Sequence, residues 1–317
     1  MNKKVITIIV IVLIGIALAF VPRFIEKTSE MNHLILILLY VALASSWNIL
    51  GGYTGQTNLG HAAFFGLGAL TTRMLWFSGW HLIISLVVGG IVAVLFALLI
   101  GWPAFKLRGA YFAIGTLALG QILFATVGNV FPTISSLPLE ALRDYELTSR
   151  YHLFLVITFI TILTAYLLAK SGFGLGMMAV REQEDAAESL GVNAFRHKLL
   201  ALLTSAFLAG LVGGAFAYYH VGYYPQFPFF PLWTFDTVTV TYIGGMGTII
   251  GPIIGAIFFV VLQEFFSLRF VELHLAVFGT LFILVVLFLP GGLVGLWKKV
   301  KSIQFLKQVK KGEVEGL

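Results

Sequence analysis

Along most of its length the chain repeats an apolar run of about 20 residues closed by a short polar or glycine-rich stretch, and that run length is what a helix needs to cross ~30 Å of hydrocarbon. Such runs fall near 32–50, 57–77, 81–101, 108–130, 151–169 and 199–219. In lipid every backbone N–H and C=O must be paired within the protein, so runs of this kind predict helices rather than open strands. Composition agrees: 59% of the 317 residues are hydrophobic and 11% charged, where a soluble domain carries roughly a quarter charged residues. Cysteine is absent, which excludes a disulfide framework, a thiol nucleophile and a thiolate metal site.

The ends and the last third refine this picture. The first run, "VITIIVIVLIGIALAFV", follows Lys3 and Lys4, which predicts a cytoplasmic N-terminus. Ala17 and Ala19 offer a cleavage-like pattern, but the run is longer than a secretory h-region, so a retained anchor is the expectation. "TFDTVTVTYIGGMGTIIGPIIGAIFFVVLQEFF" is too long for one span, and its glycines and Gly251-Pro252 predict a broken span near 233–251. A second span near 248–267 and a final one near 273–289 follow. The fold class expected is an all-α polytopic membrane helical bundle of about ten spans, with nine as the alternative count. Ten crossings put Lys106, Arg108, the charged loop 171–198 and the basic tail 298–317 together in the cytoplasm, as the positive-inside rule requires. The permease domain is then 1–297. "FPTISSLPLEALRDYELTSR" and "HVGYYPQFPFFPLW" fall on the outer side, where Tyr and Trp suit the headgroup zone.

Three stretches concentrate glycine and polar residues within spans. In "NILGGYTGQTNLGHAAFFGLGA" the glycines allow close helix packing, Gly51 with Gly55 as a small-xxx-small pair. Gln56, Asn58 and His61 are candidates for a translocation path, because polar side chains at membrane depth face a bundle interior or a pore. In "LRGAYFAIGTLALGQILFA", Tyr111, Gly115 and Ala118 share one helical stripe that reads as packing. Thr116 lies elsewhere on that helix and, with Tyr111, is a further path candidate. In "YIGGMGTIIGPIIGA", Gly244 and Gly245 mark a helix break, a physical pointer to a translocation path. Asp236 and Glu264 are expected near outer ends of spans, so the interior offers no acidic relay for ion coupling.

The densest charge lies in "REQEDAAESLGVNAFRHK", whose first part is rich in helix formers. Ala186, Ala187 and Gly191 are small residues among long charged ones. Ala187 and Gly191 are four apart and share a face on a continuous helix, which would let a partner approach closely. Arg181, Glu184 and Asp185 would then fix orientation at the rim of that contact. The segment predicts a cytoplasmic docking helix.

Chemistry-bearing motifs are missing from the sequence. The seven histidines form no H-E-x-x-H, and there is no G-x-S-x-G turn and no G-x-x-x-x-G-K-[ST] phosphate loop, so neither an enzyme nor a P-loop nucleotide site is expected. No basic stripe interleaved with aromatics points to nucleic acid.

Taken together, "GYTGQTNLGHAAFFGLGA", "RGAYFAIGTLALGQI", "REQEDAAESLGVNAFRHK" and "YIGGMGTIIGPIIGA" resemble the branched-chain amino-acid ABC transporter permease family, and within it the LivM-like subunit. Asp185-Ala186-Ala187 and Gly191 look like the EAA-x-x-x-G coupling loop of ABC importers, with Asp in place of Glu. The resemblance implies a helix seated in a groove of a cytoplasmic ATPase. It also implies partners: a LivH-like second permease, ATP-binding subunits that use ATP as this chain does not, and an extracytoplasmic substrate-binding protein. Family members also serve urea and short amides, which is the alternative solute class; an ion-coupled secondary transporter is the alternative mechanism.

Overall fold

The computed structural model describes residues 13–25, 27–143, 145–269, 279, 280, 283, 291–297 and 299. A short apolar helix, α1 (Leu13–Arg23), leads into the bundle. There follow α2 (Thr28–Thr54), α3 (His61–Phe77), α4 (Leu82–Ala104) and α5 (Ala110–Val130), then strand β1 (Ser135–Ser136) and the single turn α6 (Leu139–Arg143). The chain continues through α7 (Leu147–Ala169), α8 (Gly172–Glu182), α9 (Glu184–Ser189) and α10 (Ala194–Tyr219), strand β2 (Gly222–Tyr223), α11 (Leu232–Gly244) and α12 (Gly251–Arg269). Among the described residues five helices, α2, α4, α5, α7 and α10, are long and apolar enough to cross a membrane. α3 and α11 are shorter because each starts inside the bundle after a non-helical segment. The expected final span near 273–289, the N-terminal lysines and nearly all of the basic tail lie outside the described residues.

Two helices form the centre. Every residue of α2 from Leu38 to Thr54 is buried, the pattern of a helix surrounded by others. α10 packs on α2, α3, α4 and α7. The α3–α4–α10 contact is made by backbone: a Cβ at Gly68 would strike the Gly210 carbonyl, and one at Gly213 would strike that of Phe65. Between membrane helices such approach supplies the van der Waals contact that replaces a hydrophobic drive. Of the pair Gly51 and Gly55, a Cβ on Gly51 would first strike the Trp47 ring of its own helix, while Gly55 ends the helix close to Arg181 of the segment 172–182.

One end of the bundle is closed by a ribbon. Ser135 pairs with Tyr223 and Ser136 with Gly222, antiparallel, which brings the two proline- and aromatic-rich loops together. The buried Arg73 of α3 fastens them. Its Nε donates to Ser135 Oγ (3.1 Å), Nη1 to the carbonyls of Ala217 (2.7 Å) and His220 (2.9 Å), and Nη2 to those of Ser135 and Val221 (both 2.9 Å). All five guanidinium donors are thereby used. Arg150, 1% exposed, donates to the Tyr218 carbonyl (3.2 Å) and the Glu146 carbonyl (2.9 Å) between the rings of Tyr145 and Tyr218. Just past the end of α10, burial and then the Arg73 charge hold the His220 imidazole down to about 4, so it is neutral at pH 7.

Candidate functional site

Two breaks interrupt the helices around the buried half of α2. At the first, α2 ends at Gly55, whose φ of 73° is left-handed and therefore suits glycine. Residues 55–60 turn back into the bundle, so that the Trp47 indole donates to the Asn58 carbonyl at 2.8 Å. Asn58 Oδ1 accepts from Gly60 N (2.9 Å), and the Thr116 hydroxyl of α5 accepts from Leu59 N (3.1 Å). The first turn of α3 is capped from α11: Ala62 N donates to Thr234 Oγ1 at 2.8 Å. Ser46 gives its hydrogen to the Leu43 carbonyl (2.7 Å), so His61 Nε2, 2.9 Å from Ser46 Oγ, is the donor of that pair. Asn58 Nδ2 and His61 Nδ1 are buried with no partner among the described residues.

The second break separates α11 from α12. Asn48 of α2 spans it with both ends of its amide: Oδ1 accepts from Gly247 N (2.8 Å) and Nδ2 donates to the Thr248 carbonyl (2.9 Å). Thr248 Oγ1 accepts from Gly251 N at 3.0 Å, capping α12. Gly247 has a φ of 78°, and a Cβ at Gly244 would strike the Gly251 carbonyl, so the two half-helices meet at backbone contact.

Arg181, in the last turn of α8, touches both breaks. Its Nη1 donates to the Gly52 carbonyl at 2.8 Å, its stem lies against Gly55, and its guanidinium occupies the space a Cβ at Gly247 would need. At Gln183 the backbone becomes extended, with φ −159°, and α9 follows as a separate helix of six residues. Glu184 pairs with the buried Lys198 at 2.5 Å, and Asp185 lies 3.5 Å from Arg108 on the surface. The second contact is worth ~1 kcal/mol at most, but it puts the α4–α5 connection and α9 at the same end of the bundle, opposite the ribbon.

Several sequence-based expectations change here. The continuous helix over 181–191 is instead two helices with a kink at Gln183. Ala187 is not a surface residue: it is buried against Val180 and Ala194, which anchors α9 to its own chain. Gly191, at φ 87°, sits beyond the end of α9, so it shares no helical face with Ala187. The face left open carries Asp185, Ala186, Glu188 and Ser189, followed by Leu190 at 85% exposure. On α5 the packed stripe is Phe112, Thr116 and Gly120, whereas the stripe with Tyr111, 75% exposed, Gly115 and Ala118 faces outward. Gln56 is half-buried. Asp236, expected near a span end, instead accepts from the Tyr40 hydroxyl at 2.9 Å halfway along α2. The sequence signal for Arg73 is a lone cation inside the apolar run 57–77, whereas Arg150 sits in the polar stretch before the run 151–169 and carries no such signal. Among the described residues no group of three His, Cys, Asp or Glu is placed to hold a metal ion.

Comparison with known proteins gives this arrangement a family. Residues 30–286 match the family described as "Branched-chain amino acid transport system / permease component". The chain belongs to this permease family. Over 311 residues it is 28% identical to the high-affinity branched-chain amino acid transport system permease protein LivM of Escherichia coli (strain K12), covering 88% of this chain and 73% of that protein. LivM of Salmonella typhimurium (strain LT2) is 27% identical, covering 89% and 74%. The nucleoside ABC transporter permease protein NupC of Lactococcus lactis subsp. cremoris is 27% identical over 153 residues, 42% of this chain and 48% of that one. No solved structure matches the chain. The permease is thus a multi-pass integral membrane protein and not an enzyme, and its two breaks and the Arg181 contact fall within the matched region.

Proposed function

We propose that the chain is the membrane permease subunit of an ATP-driven importer that carries branched-chain, hydrophobic amino acids across the cytoplasmic membrane by alternating access. The observation that carries this reading is Arg181: the segment that resembles a coupling loop is joined through one side chain to both helix breaks. In this reading α9 and both termini face the cytoplasm and the ribbon faces outward. Separate ATP-binding subunits seat α9 around Asp185, Ala186 and the exposed Leu190. A LivH-like second permease completes the pathway, and a binding protein delivers solute at the ribbon end. There a hollow of about 470 Å³ opens between Phe124, Tyr223, Gln226 and Phe230.

The chain's own part in the cycle follows from its bonding. Closure of the ATPases displaces α9, which moves with α8 because Ala187 packs on Val180, while the Glu184–Lys198 pair ties it to the first turns of α10. Arg181 passes that displacement to the ends of α2 and α11. The breaks can answer it, because their backbone is held by side-chain bonds from Asn48, Thr116 and Thr248 rather than by a helical ladder. No phosphate loop occurs in the chain, consistent with an energy source on other subunits.

The test is affinity purification of the tagged chain from native membranes. The wild type should retain a soluble ATP-binding protein that Leu190→Asp loses, and the wild-type assembly in liposomes should import leucine in preference to urea. A chain that purifies alone and moves solute until an uncoupler is added at constant ATP would overturn the reading in favour of an ion-coupled transporter.

A further inference from the structure

α11 places an ionisable carboxylate on a partly exposed helix face level with the middle of α2. Asp236 Oδ2 accepts from Tyr40 OH at 2.9 Å. Tyr40 is the thirteenth residue of the 27 in α2, which at 1.5 Å per residue lies about 18 Å from one end and about 21 Å from the other. α2 exceeds a hydrocarbon layer ~30 Å thick by only about 10 Å, so this level falls within the layer wherever its boundaries lie along the helix.

The two faces of α11 treat their polar groups differently. On the buried face the threonines are satisfied within the chain: Thr234 accepts from Ala62 N, Thr237 donates to the Trp233 carbonyl, and Thr241 donates to that of Thr237. On the other face Leu232 and Phe235 are exposed, and Asp236, Thr239 and Tyr242 are partly exposed at i, i+3 and i+6. Among the described residues the Thr239 and Tyr242 hydroxyls have no hydrogen-bond partner, and Asp236 has no Lys, Arg or His within ion-pair distance. An Asp at the centre of a lipid-facing helix costs ~3 kcal/mol or more, so lipid is the wrong neighbour for this face. Tyr40 instead holds one carboxylate oxygen, and no described residue hydrogen-bonds the other.

A carboxylate, two free hydroxyls and an apolar rim at membrane depth complement a small zwitterion with an aliphatic side chain. We propose that Asp236, positioned by Tyr40, takes the ammonium group of the translocated amino acid, with Thr239 and Tyr242 offering hydrogen bonds to its carboxylate and Leu232 and Phe235 contacting its side chain. The inference rests on the amino-acid importer reading above and adds the surface that meets the solute.

The experiment uses the whole transporter, purified by a tag on this chain with its partner subunits and binding protein and placed in liposomes holding ATP. Uptake of radiolabelled leucine is measured alongside subunit composition and basal ATP hydrolysis. Asp236→Asn keeps the shape and an acceptor for Tyr40, and should lower uptake at least about tenfold, the equivalent of one lost charge-assisted hydrogen bond. Subunit content and basal hydrolysis should stay at the wild-type level. Asp236→Glu should restore part of the uptake, and Tyr40→Phe should give a smaller loss than Asp236→Asn. An Asp236→Asn transporter with wild-type uptake would overturn the proposal. So would one that loses the second permease, since Asp236 would then belong to a subunit interface. A wild-type assembly that is intact but does not import leucine would instead overturn the amino-acid reading beneath it.

Discussion

The two ends of the bundle are held by the same residue type used in opposite ways. At the ribbon end the buried Arg73 spends all five donors on groups from three segments, and Arg150 is clamped between two tyrosine rings. At the α9 end the exposed Arg181 makes one hydrogen bond, to Gly52, beside two glycine breaks. A fully satisfied buried guanidinium fixes geometry, because moving it leaves several carbonyls unpaired at once. A side chain with a single bond to a loosely laddered segment transmits displacement at low cost. In the proposed transport cycle the ribbon end would serve as a frame and the α9 end as the moving part.

Removing Arg73 should break the contrast most strongly. Arg73→Met strips a donor from the buried Ala217 carbonyl and from the part-buried carbonyls of Ser135, His220 and Val221, and should destabilise the protein by ~3 kcal/mol or more. The measure is the apparent melting temperature in detergent; Arg73→Lys, with three donors, should recover only part of the fall. Packing supplies the next test. Gly68→Ala drives a methyl group into the Gly210 carbonyl and should cost ~2 kcal/mol. Gly172→Ala, whose added methyl meets nothing at the start of α8, should stay within about 0.5 kcal/mol; equal losses would erase the distinction between frame and moving part. The smallest effect on stability is expected at Arg181. Arg181→Ala should shift stability by no more than ~1 kcal/mol and leave the ATP-binding subunit attached, while leucine uptake falls severalfold. Full uptake in that variant would remove Arg181 from the coupling route.

How much was legible depended on the range over which each signal acts. The spans were readable because hydrocarbon thickness sets a run length, and the break after Gly244 because glycine and proline interrupt a helix locally. Asn58 and His61 were singled out as polar residues in an apolar context, and both are buried at the first break. The stripe on α5 was misassigned by one residue, since apolar residues surround that helix and periodicity cannot say which side meets protein and which meets lipid. The small size of Ala187 suits close approach by any neighbour, so sequence alone cannot tell a docking partner from Val180 and Ala194 of the same chain, which are its neighbours. Sequence distance to the preceding loop points to a span end for Asp236, because it says nothing of a helix that begins level with the middle of α2.

By itself, then, the sequence determined that this is a helical membrane protein, roughly where its helices lie, that one is broken by glycines, and that a charged small-residue segment interrupts the apolar chain. Those properties rest on local chemistry: run length, backbone conformation and the cost of polar groups in lipid. Only the tertiary structure decided that Arg73 ties both loops into a ribbon, that Asn48 bridges the second break from 200 residues away, that Arg181 touches both breaks, and that Asp236 stands halfway along α2. Each of these depends on contacts between residues far apart in the chain, and such contacts are chosen by the packing of whole helices rather than by any residue's neighbours in sequence.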